Sequence, residues 1–288
     1  MRWFPVLWLL LSALLPPLPA LGAELKVATW NVEWLTARPQ GDPALPKDVV
    51  PKGPADLARM ARYAEMLAAD VVALQEVDGP EMAARLFPAG RYHIHITKDH
   101  VVQRVGFAVR QGLAFTANPD LVSLDTAHGA GRHLRSGADI TLDLPGAKLR
   151  LLAVHLKSGC RQDPLAHSAR PECATLRLQL VAMQGWLAQR RGEGVPFAIV
   201  GDFNRWMDNG DAFWAGLRQA APLVRATEGA SSPCWGGGGF IDHVIAGGPA
   251  QGWLVPGSLK VMVYRETAAG MKAHLSDHCP VSALFRIP

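Results

Sequence analysis

Apolar and polar residues alternate along most of this chain in short runs that predict β-strands. The first such run is LKVATWNVEW, from Leu25 to Trp34, and DVVALQEV, from Asp70 to Val77, is more continuously apolar. Later runs with a strand pattern are YHIHI, RVGFAVR, DITLDL, LRLLAVHL, FAIVGDF, FIDHVIA, LKVMVY and VSALFRI. Helical spacing of apolar residues occurs in ADLARMARYAEMLAAD, PEMAARLF, CATLRLQLVAMQGWLAQRR and GDAFWAGLRQA. Short loops mixed with long crossovers predict an α/β (α+β) fold, a mixed sheet system covered by helices.

The start of the chain has a different pattern. Arg2 precedes the almost wholly apolar stretch WFPVLWLLLSALL, and small residues follow it. This order is typical of a secretory signal peptide, with cleavage after Gly22 as the first choice and after Ala23 as the second. A membrane anchor is the alternative, but the run is short for a span of about 20 residues and is interrupted by prolines. We therefore expect a signal peptide at 1–22 and one soluble, exported domain at 23–288, periplasmic or secreted.

Composition narrows the class of protein further. Of 288 residues, 49% are hydrophobic and 19% are charged, which is typical of a globular protein rather than a disordered or fibrous one. A chain of this length can bury a large core as one domain. The formal net charge of +4 suits a polyanionic partner but is smaller than that of a strongly cationic nucleic-acid binder.

Cysteine usage agrees with export. The four cysteines are Cys160, Cys173, Cys234 and Cys279, and they show no CxxC spacing of the kind that binds zinc. Cys160 and Cys173 bracket a polar, Pro-containing loop that a disulfide would rigidify in an oxidising compartment. Cys234 and Cys279 are either a second pair or two free buried thiols.

Polar residues interrupt the apolar strands near the strands' C-terminal ends. They are Asn31, Glu76, His155, Asp202, Asn204 and Asp242, while Asp277 and His278 lie just before the last strand. Each alone has a structural explanation, such as an edge amide, a salt-bridge partner, a hydrogen-bonded core histidine or the opening of a turn. Burying such groups unpaired is costly, so carboxylates, amides and histidines that converge on one sheet edge indicate a shared, functional reason.

Six motifs, in this order and at these separations, carry a resemblance to a known family: TWNVEW, LQEV, HLKSG, GDFN, IDHV and SDHCP. Together they resemble the motif series of the endonuclease/exonuclease/phosphatase superfamily, which includes pancreatic deoxyribonuclease, abasic-site endonucleases, secreted sphingomyelinases and inositol-polyphosphate phosphatases. The resemblance spans almost all of the chain after the leader. It implies a four-layer α/β/β/α sandwich, in which helices flank two packed mixed sheets, with the active site at one edge. It also implies metal-assisted hydrolysis of a phosphoester.

A divalent-metal site follows from the resemblance. Asn31 and Glu76 resemble the residues that belong to this site in the family, with Asp277 close by. Carboxylate and amide oxygens select hard cations, so the expected ion is Mg²⁺ or Mn²⁺.

The resemblance also implies roles for the remaining polar residues. His278 resembles the general base that activates water, with Asp242 accepting from its other nitrogen to fix the tautomer. Asp202 orients or deprotonates the same water, and the sequence leaves these two roles open. Asn204 and His155 resemble the donors that hold the nonbridging phosphoryl oxygens.

Two further positions qualify the resemblance. Arg135 matches an arginine that family nucleases place on the substrate phosphate, and the alternative is an ordinary surface arginine. Pancreatic deoxyribonucleases carry Tyr-x-Glu where this chain has Val101, Val102 and Gln103. Gln103 can hydrogen-bond His155 but cannot stabilise its protonated form by charge, which argues against the complete pancreatic mechanism.

We therefore expect an exported, metal-dependent phosphodiesterase of nuclease type, acting as a monomer without a stable membrane anchor. A sphingomyelinase or a small phosphate-ester phosphatase is the alternative within the superfamily. For a sphingomyelinase, the segment PCWGGGGF is the candidate membrane contact. A catalytically silent binding module is the third hypothesis, and it is disfavoured because every key position is filled.

Overall fold

The computed structural model describes residues 1, 23–126, 133–268 and 270–288. The predicted signal peptide at 1–22 therefore lies, apart from its first residue, outside the described residues. Within the described ranges no helix is long and apolar enough to cross a bilayer.

Strands dominate the described part of the chain. The strands are β1 (Glu24–Leu35), β2 (Val71–Val77), β3 (Tyr92–Ile96), β4 (Arg104–Arg110), β5 (Ala114–Ala117), β6 (Ala138–Leu144), β7 (Ala147–His155), β8 (Phe197–Asp202), β9 (Leu223–Arg225), β10 (Asp242–Gly247), β11 (Lys260–Val261) and β12 (Val281–Arg286). The helices are α1 (Pro54–Leu67), α2 (Pro80–Leu86), α3 (Pro171–Glu193), α4 (Ala212–Ala220) and α5 (Met271–His274).

The strands form two mixed sheets. The first has the order β11-β12-β1-β2-β4-β3, and the second has the order β5-β6-β7-β8-β10-β9. Each sheet has one parallel pair, β1 with β2 and β7 with β8, among antiparallel neighbours. Parallel neighbours need a crossover connection, and α1 and α3 are the helices of these two crossovers. Both strands of a parallel pair end at the same sheet edge, and the antiparallel strands β12 and β10 begin there.

Successive side chains of a strand point to opposite faces of its sheet, and this alternation fits an arrangement of four layers. In β8, Ala198 and Val200 belong to the core between the two sheets, whereas Phe197 and Ile199 pack against helices. Helices α1 and α2 cover the outer face of the first sheet, and α3 and α4 cover that of the second. The predicted four-layer α/β/β/α sandwich is confirmed.

The predicted elements differ from the structure mainly at the sheet edges. The prediction of a strand along LKVMVY is wrong beyond Val261, because Pro280 has no N–H to continue the pairing with β12. Tyr264 instead turns inward, and its hydroxyl oxygen accepts from Trp30 Nε1 at 2.9 Å. The sequence pattern does not predict β5, β9 and α5, which are only three or four residues long.

Candidate active site

The polar residues that end the strands lie together at one edge of the sandwich. The parallel strands β1, β2, β7 and β8 end there, and β10 and β12 begin there. Asn31 Nδ2 donates to Asp202 Oδ2 at 3.1 Å, so the ends of β1 and β8 meet across the two sheets. Because ligands of α/β proteins often bind at the carboxyl ends of strands, this edge is the candidate active site.

Two groups of side chains make up the site, and they differ in exposure. The acidic half consists of Asn31, Glu33, Glu76 and Asp277. The buried half consists of His155, Asp202, Asn204, Asp242 and His278. Every residue of the buried half is at most 9% exposed. In the acidic half the side chains of Glu33 and Asp277 are 25% and 44% exposed, so water reaches their carboxylates.

The end of β1 departs from regular strand conformation just after Asn31. Glu33 and Trp34 have φ values of 45° and 52°, which residues with a side chain rarely adopt, and the pairing with β2 shifts register between Asn31 and Leu35. Asn31 Oδ1 accepts from the Glu33 N–H at 3.0 Å, and the Trp34 N–H donates to Glu76 Oε2 at 3.1 Å. These contacts hold a backbone conformation that is uncommon except where function requires it.

Glu33 is a site residue that sequence reasoning missed. Its Oε2 accepts from the Asp277 N–H at 3.0 Å and lies 3.6 Å from Lys52 Nζ. Burial raises the pKa of the Glu33 carboxyl, and Lys52 opposes the rise. The carboxylates of Asp277 and Glu76 raise the same pKa further. A signal was present in TWNVEW, because alternation places Glu33 on the same side of a strand as Asn31.

Lys52 brings a buried positive charge to the acidic half. Only 1% of its side chain is exposed, and its Nζ donates to the carbonyl oxygen of Ala273 at 2.7 Å. Burial lowers the pKa of Lys52, and Glu33 opposes the effect. A buried ammonium is costly unless it is paired, so Lys52 and Glu33 hold each other in place. No sequence signal singled Lys52 out, because it lies in the Pro- and Gly-rich loop between β1 and α1.

The acidic half fits the divalent ion that the resemblance implies. Its donors are carboxylate and amide oxygens, the ligands of hard cations, while all four cysteines are bonded in disulfides and are lost to a zinc site. The raised pKa of Glu33 reflects burial together with repulsion among neighbouring carboxylates. A cation shared by these oxygens would relieve that repulsion.

A second group of possible ligands lies in the buried half. Asp202, Asp242 and His278 each place one ligand atom within 4.8 Å of the others, a tighter trio than the carboxylates of the acidic half form among the described residues. His278 Nδ1, however, is already hydrogen-bonded to Asp242 Oδ2 at 2.8 Å. Asp202 already accepts from the side-chain amides of Asn31 and Asn204. Glu76 Oε1 in the acidic half likewise accepts from Asn31 Nδ2 at 3.1 Å, so what distinguishes the acidic half as the candidate metal site is the exposure of its Glu33 and Asp277 carboxylates to water.

His278 lies among three carboxylates. While Nδ1 bonds to Asp242, Nε2 lies 3.7 Å from both Asp202 Oδ2 and Asp277 Oδ1. Burial alone would lower the pKa of His278, but Asp242 and Asp202 raise it well above its ordinary value. Burial raises the pKa of Asp202 to about 7, an effect that His278 opposes. The two groups therefore titrate as a coupled pair, and either can carry the proton.

The end of β8 holds Asp202 and Asn204 together. The Asn204 N–H donates to Asp202 Oδ1 at 2.7 Å, and Asn204 Nδ2 donates to Asp202 Oδ2 at 3.0 Å and to the carbonyl oxygen of Leu156 at 3.2 Å. A Cβ at Gly201 would overlap the carbonyl oxygen of Val154. Only glycine therefore allows β8 to lie this close to β7 just before the site.

His155 lies between the two halves. Its Nε2 is 3.6 Å from Glu76 Oε1 and 3.5 Å from Asp202 Oδ2. Burial lowers the pKa of His155 well below its ordinary value, and the guanidinium of Arg135 adds to the effect. Within the described residues Nδ1 has no hydrogen-bond partner, so Gln103 does not support the ring as its position suggested. A neutral His155 is suited to donate a hydrogen bond rather than to act as an acid.

Arg135 is not the ordinary surface arginine that the sequence left open, and that alternative is wrong. The residue is 8% exposed. Its Nε donates to the carbonyl oxygen of His155 at 3.0 Å, and its Nη2 donates to that of Leu156 at 3.2 Å. The guanidinium therefore fixes the backbone at the end of β7.

The turn before β12 is held by side chains from three directions. Ser276 Oγ donates to the carbonyl oxygen of Asn31 at 2.6 Å and accepts from the His278 N–H at 3.0 Å. Tyr264 donates its hydroxyl to the carbonyl oxygen of His278 at 2.8 Å, and Trp235 Nε1 donates to that of Ser276 at 2.8 Å. These bonds fix the backbone from which His278 reaches across to Asp242 in the second sheet.

Both disulfides lie next to the site. Cys160 is bonded to Cys173, which closes the loop after β7, and Cys234 is bonded to Cys279. The second pair was one of two alternatives at the level of sequence. It ties the segment that carries Trp235 to the residue after His278.

Solved structures similar to this chain share its fold. A D. rerio TDP2 complexed with a single-strand DNA product is 18% identical, with a TM-score of 0.60, and the match covers 91% of this chain and 99% of that one. A 3'-5' exonuclease (NExo) from Neisseria meningitidis is 16% identical, with a TM-score of 0.59 and coverage of 91% and 99%. A truncated Caenorhabditis elegans TDP2 is 16% identical, with a TM-score of 0.58 and coverage of 91% and 97%.

Sequence comparison identifies the family. No curated protein sequence matches this chain significantly. A profile of the Endonuclease/Exonuclease/phosphatase family, however, matches residues 28–278, a range that includes both halves of the site. The chain therefore belongs to the endonuclease/exonuclease/phosphatase family.

Proposed function

We propose that this protein is a divalent-metal-dependent phosphodiesterase of nuclease type. The observation that carries the proposal is the position of His278 Nε2, which lies 3.7 Å from Asp202 in the buried half and 3.7 Å from Asp277 in the acidic half. A phosphoester held between the halves would meet a proton acceptor and a cation site together. Members of the family are hydrolases of phosphoester bonds, which supports the same reaction class.

The acidic half would hold the ion, Mg²⁺ or Mn²⁺, through Asn31, Glu33, Glu76 and Asp277. When bound, the ion supplies a positive charge that polarises a phosphoryl oxygen and offsets the charge that develops on it. The backbone N–H groups of Trp34 and Asp277 orient the carboxylates of Glu76 and Glu33 for this purpose.

His278 and Asp202 would manage the proton of the attacking water. With the proton that the two groups share on Asp202, His278 Nε2 can accept the proton of the water, and Asp242 stabilises the resulting imidazolium through the bond to Nδ1. Asp202, whose pKa burial raises to about 7, orients the same water or shares its proton. Asp202 can take either role, because it and His278 share one proton.

Asn204 and His155 would hold the nonbridging oxygens of the phosphate. Asn204 Nδ2 and His155 Nε2 both lie beside Asp202 Oδ2, at 3.0 Å and 3.5 Å. Both N–H groups of Asn204 Nδ2 are bonded, to Asp202 and to the Leu156 carbonyl oxygen, so one of these bonds would be exchanged for a phosphate oxygen. Arg135, beneath His155, adds a positive charge that favours a phosphate in this position.

Nucleic acid is the substrate class that the surroundings favour. Among structures of the same fold, D. rerio TDP2 is complexed with a single-strand DNA product and Neisseria NExo is bound to a product DNA hairpin. A sphingomyelinase would need an aromatic segment free to enter lipid. Trp235 of PCWGGGGF instead donates its Nε1 to the Ser276 carbonyl oxygen at 2.8 Å and packs its ring 5.4 Å from that of Tyr264. This anchoring disfavours the lipid alternative.

Export completes the proposal, with residues 1–22 as the signal peptide and 23–288 as the exported catalytic domain. The two disulfides support it, because disulfides persist mainly in oxidising compartments. N-terminal sequencing of the protein recovered from the periplasm or medium should begin at Ala23 or Glu24.

A substrate panel tests the proposed activity. Plasmid DNA, single-stranded DNA, RNA, sphingomyelin vesicles and p-nitrophenyl phosphate are each incubated with Mg²⁺, Mn²⁺ or EDTA. We expect hydrolysis of a nucleic acid that requires the metal. A His278→Ala variant purified in parallel should be inactive, which excludes a contaminating nuclease. Hydrolysis of sphingomyelin or the phosphate monoester alone would contradict the proposal.

A further inference from the structure

A cavity of about 470 Å³ is lined in part by Arg205 and Trp206, the two residues that follow Asn204 of the buried half in the chain. One wall is the disulfide-closed loop after β7, and the other is the segment that follows Asn204. Residues that line it include Gln162, Asp163, His167, Trp206, Asp208 and Asp211. The proposed phosphodiester chemistry uses none of these side chains.

Arg205 joins the two walls. It is 3% exposed, and its Nε donates to Asp211 Oδ2 at 2.8 Å. Its Nη1 donates to the carbonyl oxygen of Cys160 at 2.7 Å, and its Nη2 donates to that of Asp163 at 3.0 Å. The Trp206 N–H adds a bond to the same loop. These contacts, together with the disulfide, indicate a cavity that is formed before any ligand binds.

Trp206 is an aromatic residue in the lining of this cavity. A Cβ built on Gly239 would lie 2.6 Å from Trp206 Cδ2 and 2.8 Å from both Cγ and Cε2. Nearly equal distances to these three ring atoms place Gly239 over one face of the indole. The same side chain lines the cavity and is half-buried, so part of it remains in reach of solvent.

The charges around the cavity suit a neutral ring attached to a polyanion. Asp211 is paired with Arg205 at 2.6 Å, and Asp163 lies 3.8 Å from Arg170. Two of the aspartates in the lining are thus offset by arginines. The exposed Arg161 lies next to Gln162 in the same loop, where a phosphate backbone would pass.

We propose that Trp206 and this cavity form a subsite for a nucleobase next to the phosphate that Asn204 holds. Trp206 follows Asn204 by two residues, so their Cα atoms are at most about 7 Å apart, a separation that one nucleotide can bridge. Base–aromatic stacking is tolerant of sequence, so the subsite would accept any base. This inference rests on the proposed function, because it names a nucleic acid as the ligand.

Binding and cleavage of a labelled single-stranded oligonucleotide test the subsite separately from the reaction. Fluorescence anisotropy in EDTA gives the Kd, and cleavage with Mg²⁺ gives kcat and KM. We expect Trp206→Ala to raise Kd and KM by about 10- to 100-fold, with kcat much less changed, and Trp206→Phe to restore most of the affinity. Gly239→Ala, which pushes the indole without removing it, should weaken binding as well. Phe115→Ala, at a half-buried aromatic on the edge strand β5, is the matched control and should bind normally.

An abasic series identifies the interaction. When a tetrahydrofuran residue replaces the base that occupies the subsite, wild type and Trp206→Ala should bind equally. The subsite would be overturned if Trp206→Ala bound the intact oligonucleotide with the Kd of the wild type. It would also be overturned if the wild type lost the same affinity wherever in the oligonucleotide the abasic residue was placed. If the wild type binds the oligonucleotide through Trp206 but cleaves no nucleic acid, the subsite stands and the proposed function fails. If the wild type neither binds the oligonucleotide in EDTA nor cleaves it with Mg²⁺, both are overturned.

Discussion

The acidic half and the buried half meet at one edge but compensate their charges differently. The carboxylates of Glu33 and Asp277 remain partly in contact with water, and Lys52 is the cation beside them. In the buried half, Asp202 is fully enclosed and accepts from amides, while Asp242 bonds to His278. An ion can reach the partly exposed carboxylates of the acidic half directly from water, although Glu76 would exchange its bond from Asn31, whereas the carboxylates of the buried half are enclosed. We therefore propose that metal binds in the acidic half and that proton transfer takes place in the buried half.

The largest expected effect is on catalysis through the buried half. His278→Ala should lower kcat by about 10³-fold, within the 10²- to 10⁴-fold range of general acid–base catalysis. Asp242→Asn keeps the shape of its partner but removes the charge that stabilises the imidazolium, so it should lower kcat by a smaller factor. Steady-state kinetics with an oligonucleotide measure both variants. If activity were unchanged in His278→Ala, the assignment of proton transfer to this half would be wrong.

The next effect is on metal dependence through the acidic half. Glu76→Gln should raise the Mg²⁺ concentration for half-maximal activity by at least about 10- to 100-fold, the range found when even outer-shell partners of a metal are changed. Titration of activity with Mg²⁺ measures the shift. Glu81→Gln, at an exposed glutamate of α2, is the matched control and should leave the curve unchanged. An equal shift in both variants would remove the specific role of Glu76.

The third effect is on the pH dependence of stability, and it comes from His243, a buried histidine to which we give no part in the reaction, unlike His278. His243 follows Asp242 in β10, its Nδ1 bonds to Thr227 Oγ1 at 2.6 Å, and burial lowers its pKa from 6.5 to about 3, with Arg225 adding to the effect. Folding therefore favours the neutral ring. The stability that this preference gives is fully present above pH 6.5. Below that pH the free energy of unfolding decreases by about 1.4 kcal/mol for each pH unit, down to about pH 3.

Urea unfolding at pH 7.5, 6 and 5 measures this dependence. His243→Gln, which keeps a polar side chain that can hydrogen-bond but cannot titrate, should flatten the decrease. The same decrease in wild type and variant would show that other groups cause it.

The smallest expected effect is at Lys52. Lys52→Met removes a positive charge beside Glu33, so the acidic half should bind Mn²⁺ several-fold more tightly if repulsion of the ion dominates. Mn²⁺ titration by calorimetry measures the change, and thermal unfolding of the variant provides the control for folding. Weaker binding would show instead that Lys52 matters mainly by holding Glu33 in place.

Much of the site could be predicted from the sequence because its polar residues lie at or near the ends of strands. Asn31, Glu76, His155 and Asp202 interrupt apolar runs where the parallel strands stop, and an edge of two parallel pairs must bring such residues together. Glu33 was missed although alternation pointed to it, because its backbone leaves the strand conformation at φ 45°.

The rest depends on contacts that no local pattern contains. Lys52 comes from a loop of 18 residues between β1 and α1, and its burial depends on Glu33 and on the carbonyl oxygen of Ala273, more than 200 positions away. The pairing of Cys234 with Cys279 likewise depends on the position of the turn that carries His278. No sequence pattern predicts that this turn lies beside the segment of Cys234. The sequence leaves Arg135 open between a phosphate-binding arginine and a surface arginine, and its burial follows from its bond to the His155 carbonyl oxygen at the end of β7.

The division between the two halves is tested most directly by Mn²⁺ binding to the wild type, Glu76→Gln and His278→Ala, measured by isothermal titration calorimetry without substrate. The account predicts that Glu76→Gln loses affinity by at least about 10-fold, whereas His278→Ala binds as the wild type does. Loss of affinity in His278→Ala, with Glu76→Gln unaffected, would contradict it and would place the ion on Asp202, Asp242 and His278 instead.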